Sequence, residues 1–256
     1  MSRVALITGG SRGIGLGIAK KLAEEGFNLA INGVREEASV REALESLRSL
    51  GARVEYLQGN IASREDRESI ISGLIAKFGK IDVLVNNAGV APRTRSDIFD
   101  ITEEDFDHLM DINLRGTFFL TQAIAKWMAE LKMNKPDSDI SIVTITSISA
   151  EVASTTRASY CMSKSALSML SKVLAVKMAE FGIPVYEIRP GVIETDMIEK
   201  VRETYHQGVK NGMTLEPRMG VPEDIGKVVA ALVKGDLPYS TGQVISVDGG
   251  MTIARM

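Results

Sequence analysis

Seven short apolar runs, each followed by a longer stretch of helical periodicity, are the feature that most narrows the fold open to this sequence. The runs fall at 4–8, 28–32, 53–58, 82–86, 141–146, 185–189 and 243–247. Several are apolar at successive positions rather than alternate ones, as a strand covered on both faces requires. Between them, helical patterns lie near 13–25, 36–50, 63–78, 102–131, 158–181 and 222–233. Such an alternation builds βαβ units, and so a parallel sheet with helices on both faces. Local chemistry agrees: "T-E-E-D-F" from Thr102 and "P-E-D-I" from Pro222 are helix starts, with early acids and a first-turn proline. Gly26, Gly51, Gly79 and Gly182 stand where helices should stop. No repeat or flexible linker divides residues 1–256, which read as one domain. Two segments break the rhythm. Residues 132–139 form a polar, turn-rich insertion, and 196–220 is a long, weakly amphipathic excursion of the kind used as a lid or binding segment.

Composition excludes several function classes. A net charge of −3 with scattered lysines and arginines gives no basis for nucleic-acid or anionic-membrane binding. One cysteine cannot form an intrachain disulfide, which fits a reducing compartment. The opening "M-S-R-V-A-L-I-T-G-G" is too short for a signal-peptide core, and no apolar run approaches a membrane span, so the expectation is a cytoplasmic protein. His108 and His206 are too few and too isolated for a metal site or a Ser-His-Asp triad.

The first strand runs into "T-G-G-S-R-G-I-G", with glycines at 9, 13 and 15 before a helix. Tight glycine turns let backbone approach a pyrophosphate, and a helix N-terminus offers free N–H groups to anions. In such folds a carboxylate at the end of the second strand binds the adenosine ribose. The sequence has Asn32 there, followed by Arg35. Asparagine does not repel a 2′-phosphate, and Arg12 in the glycine turn can pair with one, so NADP(H) is favoured, with NAD(H) possible.

Further motifs follow in order: Asn86-Asn87-Ala88-Gly89, Asn113, Ser147, Tyr160-x-x-x-Lys164, Pro190-Gly191 and "V-D-G-G" at Val247–Gly250. Together with Thr8-Gly9-x-x-x-Gly13-x-Gly15 they resemble the short-chain dehydrogenase/reductase family over essentially the whole chain, and most of all its 3-oxoacyl-carrier-protein-reductase-like branch. The resemblance implies a single Rossmann-like, doubly wound α/β domain with a seven-stranded parallel sheet. It also implies a homotetramer or homodimer whose main contact uses the helices near 102–131 and 158–181. It assigns catalysis to Asn113, Ser147, Tyr160 and Lys164. Cofactor contacts fall on Gly9, Ser11, Arg12, Gly13, Ile14, Gly15, Asn32, Asn60, Ile61, Asn87, Ala88, Gly89, Tyr160, Lys164, Pro190, Gly191, Val192 and Thr195. Asn60 stands where many members carry aspartate against the adenine, and Thr195 is a candidate for the nicotinamide carboxamide. No metal is implied.

The chemistry of these residue types fits that assignment. A ketone that accepts a hydride becomes an alkoxide and needs a proton and a hydrogen-bonding cradle. A phenol with its ordinary pKa of about 10 is a poor base near neutrality, and a nearby ammonium favours the phenolate. Tyr160 and Lys164 share a helix face at i, i+4. Ser147 ends a strand and can position the carbonyl oxygen, while by resemblance Asn113 holds a water that links the lysine to solvent. Cys161, without a histidine-containing constellation, reads as a small buried packing residue.

The expected substrate is a small-molecule or acyl-thioester ketone, or the corresponding alcohol. Arg93 and Arg95 follow the Asn-Asn-Ala-Gly turn, Glu151 and Arg157 lie between serine and tyrosine, and the excursion adds Met197, Tyr205 and His206. Arginines at the mouth can grip a carboxylate, a phosphate or an acidic carrier protein. Glu151 with Arg157 suits a polyhydroxylated substrate better than an acyl chain, and the helix before Gly182 lacks the arginines used to dock a carrier. A sugar, polyol or small cyclic-ketone dehydrogenase is the alternative enzyme. A nucleotide-binding regulator without turnover is the non-enzyme alternative, opposed by the intact catalytic set.

Overall fold

Alternate residues of each apolar run leave the sheet on opposite faces, and both faces are covered. The computed structural model describes residues 2–255. The strands are β1 (Val4–Thr8), β2 (Asn28–Gly33), β3 (Val54–Gln58), β4 (Val83–Asn86), β5 (Ser141–Ile145), β6 (Val185–Pro190) and β7 (Val244–Val247). All pair in parallel, in the order β3-β2-β1-β4-β5-β6-β7. The helices are α1 (Gly13–Glu24), α2 (Glu37–Arg48), α3 (Arg64–Phe78), α4 (Glu103–Met110), α5 (Thr117–Asn134), α6 (Ala158–Ala179), α7 (Arg202–Lys210) and α8 (Pro222–Lys234).

Ala5 and Ile7 pack with Ile18, Leu22, Leu44, Ile225 and Val229 of α1, α2 and α8. Val4 and Leu6 pack on the other face with Leu74, Ile124, Met128 and Leu170 of α3, α5 and α6. Each such fully buried side chain contributes roughly 1.5–3 kcal/mol by leaving water. Helices α1 and α8 cross at two glycines. A Cβ at Gly17 would lie 2.5 Å from Pro222, and one at Gly226 would lie 2.6 Å from the Gly17 carbonyl.

Three local expectations change. The helix expected over 102–131 is interrupted at Asp111–Gly116 by a wider π-helical turn before it resumes as α5. Gly116 lets that turn meet the chain after β3: a Cβ there would stand 2.6 Å from the Ile61 carbonyl. Helix α5 runs on to Asn134, so the polar insertion starts later than its composition indicates. The excursion at 196–220 holds a 3-10 turn (Asp196–Val201), α7 and an irregular return to Gly220, which bridges to Ile193. Among the described residues, no helix is long and apolar enough to cross a membrane.

β1 and β4 are neighbours from which the chain winds outward in opposite directions. Their C-terminal ends are therefore the switch point at which open α/β sheets bind ligands.

Candidate active site

At that switch point the turn after β1 and the turn after β4 are tied together. The Thr8 hydroxyl accepts from the backbone N–H groups of Asn87 (3.0 Å) and Ala88 (2.9 Å). In return, the Asn87 side-chain amide donates to the carbonyls of Thr8 (2.8 Å) and Gly9 (3.2 Å). So close an approach excludes side chains. A Cβ at Gly15 would lie 2.2 Å from the Gly9 carbonyl, and Gly13 holds φ +52°, a left-handed value that favours glycine. Above this turn opens a cleft of about 460 Å³. Gly9, Ser11, Arg12, Gly13, Ile14 and Gly15 line it together with Asn32, Asn60, Ile61, Asn87, Ala88, Gly89, Tyr160, Lys164 and Thr195. The glycine cradle at the N-terminus of α1, which has no acid in its first turn, fits the pyrophosphate of a dinucleotide.

The adenosine end differs from its sequence expectation. β2 runs one residue further than its apolar pattern, to Gly33, so Asn32 is not the end of the strand. Asn32 is buried, and its amide donates to the carbonyls of Leu57 and Gly59, both at 3.0 Å. It clamps β2 to the chain after β3, and its N–H groups are already occupied. The strand-end position that faces the cleft is Gly33, where a Cβ would stand 2.8 Å from the Tyr56 hydroxyl and 3.2 Å from Ser11 Oγ. Arg35 lines the cleft beside it, its guanidinium donating to Ser11 Oγ at 3.3 Å, while Tyr56 donates to the Arg35 carbonyl at 2.7 Å. Arg12 lies across the cleft mouth, 3.6 Å from the Asp196 carboxylate in an exposed pair.

The catalytic candidates come together at the other end. Lys164 is buried, and its ammonium donates to the Ile145 carbonyl (3.2 Å) and sits 5.7 Å from the Tyr160 ring centroid. Burial lowers its pKa to about 8, against the opposing charge of Glu187. Burial also pushes the Tyr160 phenol up; the nearby Ser147 hydroxyl and the Arg157 guanidinium pull it back. In the protein alone, these two groups favour the phenolate, while the Lys164 ammonium bonds to backbone. Ser147 caps the 3-10 turn Ile148–Ala150, its Oγ accepting from Ser149 N–H at 3.1 Å. Asn113 lies within the π-helical turn, fully buried. Its side chain accepts from Val90 N–H (2.8 Å) and donates to the Val90 carbonyl (3.0 Å) and Ser163 Oγ (3.3 Å). It therefore holds the cleft wall at Gly89–Val90 against α6. Gly89 leaves room between them: a Cβ there would be 3.3 Å from Asn113 Oδ1 and 3.7 Å from Lys164 Nζ.

Pro190, Gly191 and Val192 are not among the residues that line this cleft. Gly191 N–H donates to the Val247 carbonyl and Val192 accepts from Gly220 N–H, so this segment ties the end of β6 to β7 and to the return from the excursion. Cys161 is partly exposed rather than buried, with its thiol 3.7 Å from the Val152 carbonyl. Glu151 pairs with Arg189, which lies buried directly behind the loop. The sequence reading missed Gly33, Gly59, Ile112 and Thr146, which also line the cleft, and Met197 lines it from the excursion. Gly33 was legible in principle as a glycine inside an apolar run. Ile112 carries no such signal.

The family model for enoyl-(acyl carrier protein) reductase matches residues 9–252. The chain is 32% identical over 251 residues to the 3-oxoacyl-[acyl-carrier-protein] reductase FabG of Staphylococcus epidermidis, covering 98% of this chain and 99% of that one. It is 34% identical over 250 residues to the L-rhamnose 1-dehydrogenase (NADP(+)) of Thermoplasma acidophilum, covering 97% and 96%. A crystal structure of 3-oxoacyl-[acyl-carrier protein] reductase from Brucella melitensis in complex with NAD superposes with a TM-score of 0.95 at 42% identity, covering 100% of this chain and 99% of the other.

Proposed function

The chain belongs to the short-chain dehydrogenase/reductase family and is an oxidoreductase that uses a nicotinamide cofactor, and from that premise we propose that Tyr160, Ser147 and Lys164 interconvert a ketone and a secondary alcohol of the 3-oxoacyl-thioester type. The observation that carries this reading is the buried Lys164 ammonium 5.7 Å from the Tyr160 ring centroid, both lining the cleft beside Thr146 and the adjoining Ser147. A bound nicotinamide supplies or takes up the hydride. The chain's own residues manage the oxygen. Ser147 donates to the carbonyl oxygen and orients it, and Tyr160 delivers the proton as charge develops. Lys164 favours the phenolate left behind, and Asn113 fixes the wall beside it. In alcohol oxidation the same groups run in reverse.

A second reading, a sugar-acid or other hydroxy-acid substrate, is favoured by two guanidinium groups at the mouth. Arg157 lies 5.9 Å from the Tyr160 ring centroid, and Arg95 donates to the Tyr205 hydroxyl at 3.2 Å. Arg93, by contrast, is paired with Glu104 and Asp105. Initial rates on acetoacetyl thioesters, oxo acids, sugar acids and cyclic ketones separate the two readings. The first expects the highest kcat/KM on a thioester, and the second expects it on a free acid.

NADP(H) is the proposed cofactor, supported by Gly33 in place of a strand-end carboxylate and by Arg35 beside Ser11. Arg35→Ala should weaken NADPH binding roughly 10-fold or more, the value of a lost charge-assisted contact, and leave NADH unchanged. Arg12→Ala should have a smaller effect in the same direction. Tighter binding of NADH than of NADPH by the unmodified protein would overturn the assignment.

A homotetramer or homodimer joined through α5 and α6 is proposed as the assembly. Its support is the exposed apolar surface of Phe118, Phe119, Met169, Val173 and Val176 on those helices. Light scattering at micromolar concentration should give a mass at least twice that of the chain. The single Cys161 supports a reducing, cytoplasmic location.

A further inference from the structure

Beneath the cleft lies a charged cluster that the chemistry above does not use. Glu187 and Arg189 are 2% and 6% exposed, and as i, i+2 neighbours on β6 they point to the same face of the sheet. Charged residues are almost never buried so deeply unless paired. Here the pairing is complete. Glu187 Oε1 accepts from Arg189 Nε (2.6 Å) and from the Thr146 hydroxyl (2.7 Å). Glu187 Oε2 accepts from the Ser168 hydroxyl (2.7 Å), and Arg189 Nη2 donates to the same Ser168 oxygen (2.8 Å). Arg189 Nη1 reaches the carboxylate of Glu151, which is 71% exposed on the loop after Ser147. Stability alone does not account for such a cluster, since replacing a buried ion pair by well-packed apolar residues is often neutral or stabilising.

Each tether ends beside a group of the active site. Thr146 precedes Ser147, and Ser168 lies one turn beyond Lys164 on α6. We propose that Glu187 is a positioning residue for the oxidoreduction: its carboxylate ties the chain end that carries Ser147 to the helix that carries Lys164, and through Arg189 it anchors the Glu151 loop. The proposal rests on the reading that Ser147, Tyr160 and Lys164 do the chemistry.

The same carboxylate acts on charge. Lys164 is faced by the Ile145 carbonyl from β5, by Gly89 and the Asn113 amide from the opposite wall, and by Tyr160 on its own helix. Of the nearby charged groups, Arg189 is bonded to Glu187 and Glu151, and Arg157 lies against Tyr160. Glu187 is the group whose charge favours the protonated lysine. Removing a negative charge lowers every macroscopic pKa of the coupled Tyr160–Lys164 pair, and an Arg189 left short of a partner pushes the same way.

Glu187→Gln should therefore lower kcat roughly 10-fold through misplacement of the reacting groups. It should also move the acid limb of the pH profile for alcohol oxidation to lower pH by about half a unit or more. Glu187→Asp, which keeps the carboxylate, should return the limb toward its original position. Loss of thermal stability with an unmoved limb would overturn the proposal. Should the single variant fail to fold, Glu187→Met with Arg189→Met leaves no unpaired charge buried. A kcat lowered roughly 10-fold in that double variant supports the clamp, and a kcat equal to that of the unmodified protein overturns it. Tyr160→Phe measured alongside separates the two levels. Retained turnover there removes the underlying reading and the clamp with it, whereas lost turnover there with an unmoved limb in Glu187→Gln removes the clamp alone.

Discussion

Tyr160→Phe is expected to lower kcat roughly 10^3-fold, within the range a single general acid contributes. The substitution removes one oxygen and leaves the ring, so the contacts with Arg157 and Lys164 at 5.9 and 5.7 Å from its centroid persist. The glycine cradle and the Asn87 bonds to Thr8 and Gly9 do not involve the phenol, so the cofactor should still bind. What is lost is the proton source. Steady-state rates at saturating cofactor, with a fluorescence titration of NADPH, read both quantities. Undiminished turnover would remove Tyr160 from the reaction.

Gly15→Ala should be the most damaging small change outside the catalytic set. The added carbon would stand 2.2 Å from the Gly9 carbonyl, 2.6 Å from Asn87 Nδ2 and 2.9 Å from Gly10 Cα. Two of these atoms are backbone, and the third belongs to an amide already bonded to Thr8 and Gly9. No flexible chain end can move aside, so the turn after β1 must separate from the turn after β4. Overpacking of this kind costs about 3 kcal/mol, which for a chain of this length lowers Tm by about 6–12 °C. Cofactor binding should fall together with stability, because the displaced turn is the cradle. Gly26→Ala is the comparison: its φ is +81° and nothing lies within 4 Å, so only the left-handed backbone penalty of about 1–2 kcal/mol applies. Thermal unfolding of both variants, with and without NADPH, tests the difference. Equal losses would show that the contact across the two turns is not what position 15 protects.

The architecture was legible because it rests on local signals. Seven apolar runs became seven strands with ends displaced by at most one residue, and Thr102 caps α4 as its spacing predicts, accepting from Asp105 N–H at 3.2 Å. The glycine turn, the Asn87 turn and the Tyr160–Lys164 pair could be read because each needs a particular residue type at a particular spacing. What could not be read was set by contacts remote in sequence. Asn32 looks like the end of a strand until its amide is seen bonded to Leu57 and Gly59, 25 and 27 residues away. Glu151 reads as a substrate contact until the Arg189 guanidinium is seen reaching it from β6. Ile112 carries no mark of the cleft it lines, since only the π-helical turn brings it there.

The π-helical turn at Asp111–Gly116 sets local regularity against function. A wider turn accommodates one more residue than an α-helix needs. Deleting one residue there would let the chain run as a single uniform helix from Glu103 to Asn134. That smoother helix would be out of phase, because each residue turns an α-helix by about 100°. Leu120, Ile124 and Met128, now in the core, would swing toward solvent, or else the helix before the turn would lose the seat of Leu109. The irregularity acts as a gear between two rotational settings: one dictated by the core under α5, the other by the need to aim Asn113 at Val90.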